Sequence, residues 1–368
     1  MPSVTKENPL GYEKISRLLK NFAIPSIIAM LVSSLYNIVD QIFIGQGVGY
    51  LGNAATNVSY PLTTICLAIA LLIGIGSASR FSLYLGAGEQ KNAARIVGNA
   101  FCMMITFGIV YTVLIEIFLT PLLTAFGSTP DVMPYAESYT RITAIGMPLL
   151  IVTNGMSSLA RSDGSPRYSM TCMLIGAVIN TILDPIFIFV FDMGVAGAAI
   201  ATVIGQFFSF LMAIRYLKKF KNIQLRREHF HLNLSDSLAI ASLGMSSSLN
   251  QVAITLVQIV MNNSLTYYGG LSEYGKEIPL AACGIVMKTN AILLAIVIGI
   301  SQGTTMEPGN MAELKKPTGL PSNVISLFRL WASALSSSSP DRSLPCLEAE
   351  MLPTMNLLCA LCVFFFSW

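Results

Sequence analysis

Asp184 is the residue whose type and setting most plainly imply chemistry. It stands in Gly176-Ala177-Val178-Ile179-Asn180-Thr181-Ile182-Leu183-Asp184-Pro185-Ile186-Phe187-Ile188-Phe189, where the other residues are apolar or small apart from Asn180 and Thr181. A carboxylate at membrane depth is costly, which makes it a functional residue by default. Asn180 lies four residues earlier, one helical turn away on the same face. Pro185 cannot donate a backbone hydrogen bond and crowds the carbonyl of Thr181. A carboxylate, an amide and a freed carbonyl are thus expected to converge on one spot. Such a cradle suits a proton or a hard cation such as Na⁺. The plainer alternative is a buried Asp that only hydrogen-bonds a neighbouring helix.

The elements that must position this carboxylate follow from composition. Of 368 residues, 54% are hydrophobic and 11% charged, against about 25% charged in soluble domains. Uncharged stretches of about 18 residues or more recur, each long enough to span a bilayer as a helix. The fold class is therefore an all-α polytopic membrane protein. The net charge of +3 gives no sign of nucleic acid as a partner, because the basic residues sit in short loops. Lys14, Arg17 and Lys20 precede an apolar run, 22–44, that is too long for a cleavable signal. Cys359 and Cys362 form a lone C-x-x-C without a second pair and read as incidental. His229 and His231 have no evident third ligand and read as a solvated surface pair rather than a metal site. Nothing supports an enzyme or a bound cofactor.

Eight spans are expected, near 21–45, 55–79, 95–119, 137–160, 168–191, 194–216, 237–267 and 279–304. Loop charge tests their order independently. Lys6, Lys14, Arg17 and Lys20 precede the first span; Arg80, Lys91 and Arg95 lie between the second and third; Arg161 and Arg167 follow the fourth. Arg215, Lys218, Lys219, Lys221, Arg226 and Arg227 follow the sixth. The loops of the opposite side hold only Lys276. This asymmetry places the N-terminus in the cytoplasm by the positive-inside rule. The domain reading is a cytoplasmic segment 1–20, a six-helix lobe 21–216, a basic cytoplasmic linker 217–236, a two-helix partial lobe 237–304 and an atypical tail 305–368.

With that orientation, Asp40, Asp184, Thr202 and Tyr139 fall at roughly one depth on four different helices. One polar residue at such a depth can be helix glue; several at one level read better as a site. Pro25, in the first turns of the first span, is where a bend is expected, and Pro61 and Pro148 act similarly. A weak echo links Leu67–Ser77 to Leu293–Ser301, as parallel repeats would.

These stretches resemble the multidrug and toxic compound extrusion (MATE) family. The matching residues are Pro25 with Asn37-Ile38-Val39-Asp40-Gln41-Ile42-Phe43-Ile44-Gly45, Ser79-Arg80 with Leu85-Gly86-Ala87-Gly88, and Ala160-Arg161-Ser162-Asp163-Gly164 with Pro166. Asn180 with Leu183-Asp184-Pro185-Ile186-Phe187-Ile188-Phe189 and Gly194-Val195-Ala196-Gly197-Ala198-Ala199 complete them. The resemblance covers about residues 10–304. It implies two six-helix lobes in a V-shaped antiporter that exports organic, often cationic, drugs against Na⁺ or H⁺. It implies Asp40, Asn180, Asp184 and Thr202 as the cation site, with Tyr139 nearby. It also implies a monomer in the plasma (inner) membrane.

The sequence departs from the family after Gly303. Ser336-Ser337-Ser338-Ser339-Pro340 is loop-like in composition, and the last apolar run, Met355–Trp368, is short for a span. A frameshifted or truncated gene is the simplest expectation, so a non-transporting remnant is one alternative function. Another is a lipid-linked-sugar flippase of the same superfamily. That activity needs several cations to hold a pyrophosphate, and only Arg141 and Lys288 are offered at membrane depth. Lys288 reads as structural. The span 237–267 carries Asn250, Gln251, Gln258, Asn262 and Asn263 but no acid from Leu238 onward. A second-lobe cation site is therefore not expected.

Overall fold

A computed structural model describes residues 15–272 and 275–287, with side chains from residue 27 onward apart from 29 and 33. All of these lie within the first of two units, Met1–Gly309. Lys288, the rest of the eighth expected span, the tail 305–368, its two cysteines and the side chain of Pro25 lie outside the described residues.

Among the described residues every regular element is helical. α1 spans Ile15–Gly47, α2 Tyr50–Gly86, α3 Gln90–Ile117, α4 Leu119–Ala125 and α5 Met133–Ser162. α6 spans Pro166–Pro185 and continues as a π-helical turn, Ile186–Val190; α7 spans Gly194–Tyr216 and α8 Leu234–Gly269. α9 spans Glu277–Met287. Six of these helices are long and apolar enough to cross a membrane.

α5 is the central post, packed on α2, α3, α6 and α7; α1 leans mainly on α6, and α8 lies along α2. The core joins Leu62, Ile73 and Phe81 of α2 with Met104 of α3 and Ile151, Met156 and Leu159 of α5. Between these large side chains the contacts use Ala, Gly and Ser, which let membrane helices approach closely.

The mid-helix prolines have a use. A proline frees the carbonyl four residues before it. Pro61 frees Asn57 O, which accepts from Asn262 Nδ2 of α8 (3.4 Å). Pro148 frees Ala144 O, which accepts from Thr112 Oγ1 of α3 (2.9 Å). Each defect in one helix becomes an acceptor for another.

Several expectations need correction. α2 runs seven residues beyond its expected end and α3 begins five earlier, so Arg80 and Arg95 sit on helix ends rather than in a loop. Long apolar helices emerge from a bilayer by whole turns, and charge marks the emergent turn, not the loop. α4 was not expected, because its seven residues are too few to show a period. His229 is buried, not solvated. Its Nδ1 accepts from Arg226 N (3.0 Å), which folds the linker back as a short 3-10 turn.

The Asp163-Gly164 turn also has a structural role. Asp163 accepts from Tyr216 Oη (2.7 Å), Lys221 N (2.8 Å), Asn222 N (3.2 Å) and Asn222 Nδ2 (2.9 Å). Four donors on one buried carboxylate fix the chain after α7 onto the α5–α6 turn.

Candidate functional site

The π turn of α6, α1 and α7 meet around two carboxylates. Asp184 is 0% exposed, Asn180 2% and Asp40 6%. Asn180 Nδ2 donates to Asp184 Oδ1 (3.0 Å) and to Thr202 Oγ1 (3.2 Å). The helical spacing of Asn180 and Asp184 therefore does what the sequence suggested, and Thr202 of α7 joins them. Asn180 reaches α7 because Gly176 and Gly205 stand where the two helices touch. A Cβ on Gly205 would come within 2.6 Å of Gly176 O.

Two oxygens of this group, Asp184 Oδ2 and Asn180 Oδ1, are buried without a hydrogen-bond partner among the described residues. Asp40, from α1, is close enough for its charge to be felt at Asp184. Tyr139, from α5, is close enough to feel the charges of both. The four helices thus bring Asn180, Asp184 and Thr202 into hydrogen-bond contact, with Asp40 and Tyr139 within electrostatic reach. Pro25 lies inside α1, fifteen residues before Asp40 along the same helix.

Sequence reasoning missed two features here. Tyr36 lies one turn before Asp40 and within reach of the charges of Asp40 and Asp184. Its i, i+4 spacing from Asp40 was the signal available. The second is an apolar layer of Ile44, Ile188 and Ala198, all buried and flanked by Phe43. Each stands four residues from a polar partner: Ile44 from Asp40, Ile188 from Asp184, Ala198 from Thr202. One helical turn therefore separates a polar layer from a dry one. The π turn carries Ile188 into that layer, and Phe43 meets Phe189 edge-on at 6.1 Å. π turns often occur at functional sites.

Chemically, buried orphan oxygens beside two carboxylates in a dry setting favour a positive charge. Both carboxylates cannot stay ionised cheaply at close range. A shared proton or a bound cation resolves the conflict.

The sequence model of the family described as MatE matches residues 25–186, which include Asp40, Asn180 and Asp184. Over that stretch, somewhat under half of its length, the chain is similar to the MATE family. It is 24% identical to the probable multidrug resistance protein YoeA of Bacillus subtilis over 327 residues, covering 85% of this chain and 70% of that protein. It is 26% identical to the multidrug export protein MepA of Staphylococcus aureus over 306 residues, covering 81% of this chain and 65% of MepA. The chain thus spans roughly two thirds of the length of these relatives. Among solved structures it is similar to the MATE multidrug transporter DinF-BH. That match has 27% identity and a TM-score of 0.80, over 91% of this chain and 76% of the other. A MOP superfamily transporter from Pyrococcus furiosus, 23% identical, shares the fold with a TM-score of 0.72 over 83% and 67% of the two chains.

Proposed function

We propose that this protein is a secondary active multidrug exporter of the MATE type. It exchanges organic, often cationic, compounds for Na⁺ or H⁺ by alternating access. It works as a monomer in the plasma (inner) membrane with its N-terminus in the cytoplasm. The observation that carries the reading is Asp184: fully buried, one oxygen unpartnered, Asn180 at its side and Asp40 within electrostatic reach.

The coupling cation is a substrate of this cycle. Asp40, Asn180, Asp184 and Thr202 supply oxygens to it, and Tyr139 borders the same space. Occupancy changes the local charge by one unit. That change biases α1, weakened at Pro25, between straight and bent forms. Cation binding in one form and drug binding in the other are then antagonistic. YoeA, MepA and DinF-BH, by their names, support a drug-like cargo.

The flippase alternative loses support at Arg141. Its Nε lies 3.8 Å from Glu116 Oε2, and its side chain is 65% exposed. A guanidinium spent on a surface pair is not available to hold a pyrophosphate.

The test is thermal stability of the purified chain against Na⁺ at several pH values. A ligand at a hundred times its Kd stabilises the folded state by about 2.7 kcal/mol. The wild type is expected to gain on that scale. Asp184→Asn is expected to gain nothing, and Asp40→Asn to lose most of the gain. Unchanged Na⁺ and pH dependence in both folded variants would defeat the assignment.

A further inference from the structure

We propose that the groove between α3 and the α7–α8 linker, 217–233, holds one acyl chain of an anionic phospholipid, with Arg226 and Arg227 on its phosphate. This rests on the reading above that the linker lies at the cytoplasmic membrane surface, and it is independent of the exchange cycle.

The groove exists because the linker is fastened to α3 at two points. Gly98 lets the His229 backbone sit against the helix; a Cβ there would collide with the His229 carbonyl. Asn99 is 0% exposed, and its Oδ1 accepts from Asn233 N (2.9 Å). Phe230, His231 and Leu232 lie between these attachments. Phe230 meets Phe101 edge-on, with ring centroids 5.7 Å apart. His231 Nδ1 donates to the Glu228 carbonyl (2.9 Å). These three linker residues form one wall, and Phe101, Ile105 and Thr106 of α3 the other, of an open groove of about 430 Å³.

Its depth suits a lipid tail. Arg95 marks where α3 emerges, and Phe101 and Thr106 lie six and eleven residues beyond it. At about 1.5 Å per residue that is about 9–16 Å, past a headgroup layer of about 5–8 Å. Farther along, α3 stays apolar and exposed at Phe107, Ile109, Val110, Val113 and Leu114. The groove therefore continues into a helix face that only hydrocarbon suits. Leu232 and Leu234 are exposed as well, at 55% and 77%. Leucines bared beside basic residues are costly in water and favourable where headgroups meet acyl chains.

Charge selects the headgroup. Arg227 opens the short 3-10 turn and Arg226 precedes it; both are exposed. Arg95 is already spent on Asp236 (2.9 Å). Arg226 stands 3.9 Å from Glu228 Oε1, a loose exposed pair, and among the described residues Arg227 has no acidic partner. Two guanidiniums against one carboxylate leave the turn net positive beside the groove. Guanidinium and phosphate form charge-assisted hydrogen bonds. A zwitterionic headgroup would bring a positive charge back to the same place.

Leu232→Trp, in a full-length chain carrying Trp331→Phe and Trp368→Phe, leaves one tryptophan, at the groove. In mixed detergent micelles, phosphatidylglycerol with brominated chains should quench it at about fivefold lower mole fraction than brominated phosphatidylcholine, the weight of about one net basic residue at a membrane surface. Arg226→Gln with Arg227→Gln should make the two lipids equal. Arg167→Gln, which removes an exposed cation at the start of α6, should leave the preference intact. On the unsubstituted chain, short-chain phosphatidylglycerol should raise Tm, and equal concentrations of short-chain phosphatidylcholine or of glycerol phosphate should not. Equal quenching by the two lipids, a preference that survives loss of both arginines, or a rise in Tm with glycerol phosphate overturns the lipid site and leaves the membrane placement standing. Quenching by neither lipid overturns that placement as well. The Na⁺ response of the protein, which tests the exchange reading, is untouched by any of these results.

Discussion

Two buried polar regions of this protein are built to opposite rules. Around Asp184, polar atoms outnumber their partners: Asp184 Oδ2 and Asn180 Oδ1 have none among the described residues. Along the seam of α2 and α8, both ends of the Asn57 and Asn262 amides are engaged, and among the described residues Gln258 Oε1 is the one seam oxygen without a partner. Burial is alike in both places, so burial does not distinguish them. Satisfaction does. A satisfied network gains nothing from a ligand and loses much by moving. An unsatisfied one is costly until something positive arrives.

The comparison can be broken in descending steps. Asn262→Leu should have the largest effect on intrinsic stability. It removes two hydrogen bonds to α2 and one within α8; interhelix bonds in membranes average about 0.6 kcal/mol each and the buried partners left unpaired add to this, so a loss of about 2 kcal/mol is expected. The unfolding midpoint in denaturant checks this, and Na⁺ binding should be unaffected. Ile188→Val thins the dry layer by one methylene. It should cost about 1 kcal/mol and should speed Na⁺ uptake and release in stopped-flow measurements. Slower or unchanged exchange would remove the layer from any barrier role.

Thr255→Val severs one seam bond and should cost about 0.6 kcal/mol by the same membrane average. Smallest is Asp184→Asn measured without Na⁺. An orphan carboxyl exchanged for a neutral amide of the same shape should leave stability within about 0.5 kcal/mol of wild type. A large loss there would mean that Asp184 is structural glue, as Asn262 is, and the distinction between the regions would fall.

The site was more legible in the sequence than the seam. Asn180 and Asp184 are four residues apart in an apolar stretch, and that spacing alone sets them on one helix face. Asp40, Tyr139 and Thr202 followed from loop charges, which fix the depth of every span. The seam was not legible, because its bonds join residues about two hundred positions apart. Gln258 and Asn262 stood out as polar, but their partner Asn57 could not be named without the helix packing. Ile44, Ile188 and Ala198 were hidden for another reason: an apolar residue among apolar residues carries no signal. The π turn was invisible because nothing in Ile186–Val190 differs from an α-helical sequence. His229 misled because a basic loop is expected to be wet, and here it folds back beneath α3, where a Cβ on Gly98 would collide with the His229 carbonyl.

The central claim is that the Asp184 layer holds the coupling cation. Binding of radioactive Na⁺ to the purified chain, titrated against pH, tests it most directly. The account predicts saturable binding that protons displace, lost in Asp184→Asn and in Asp40→Asn and intact in Asn262→Leu. Saturable Na⁺ binding that survives in folded Asp184→Asn would contradict it.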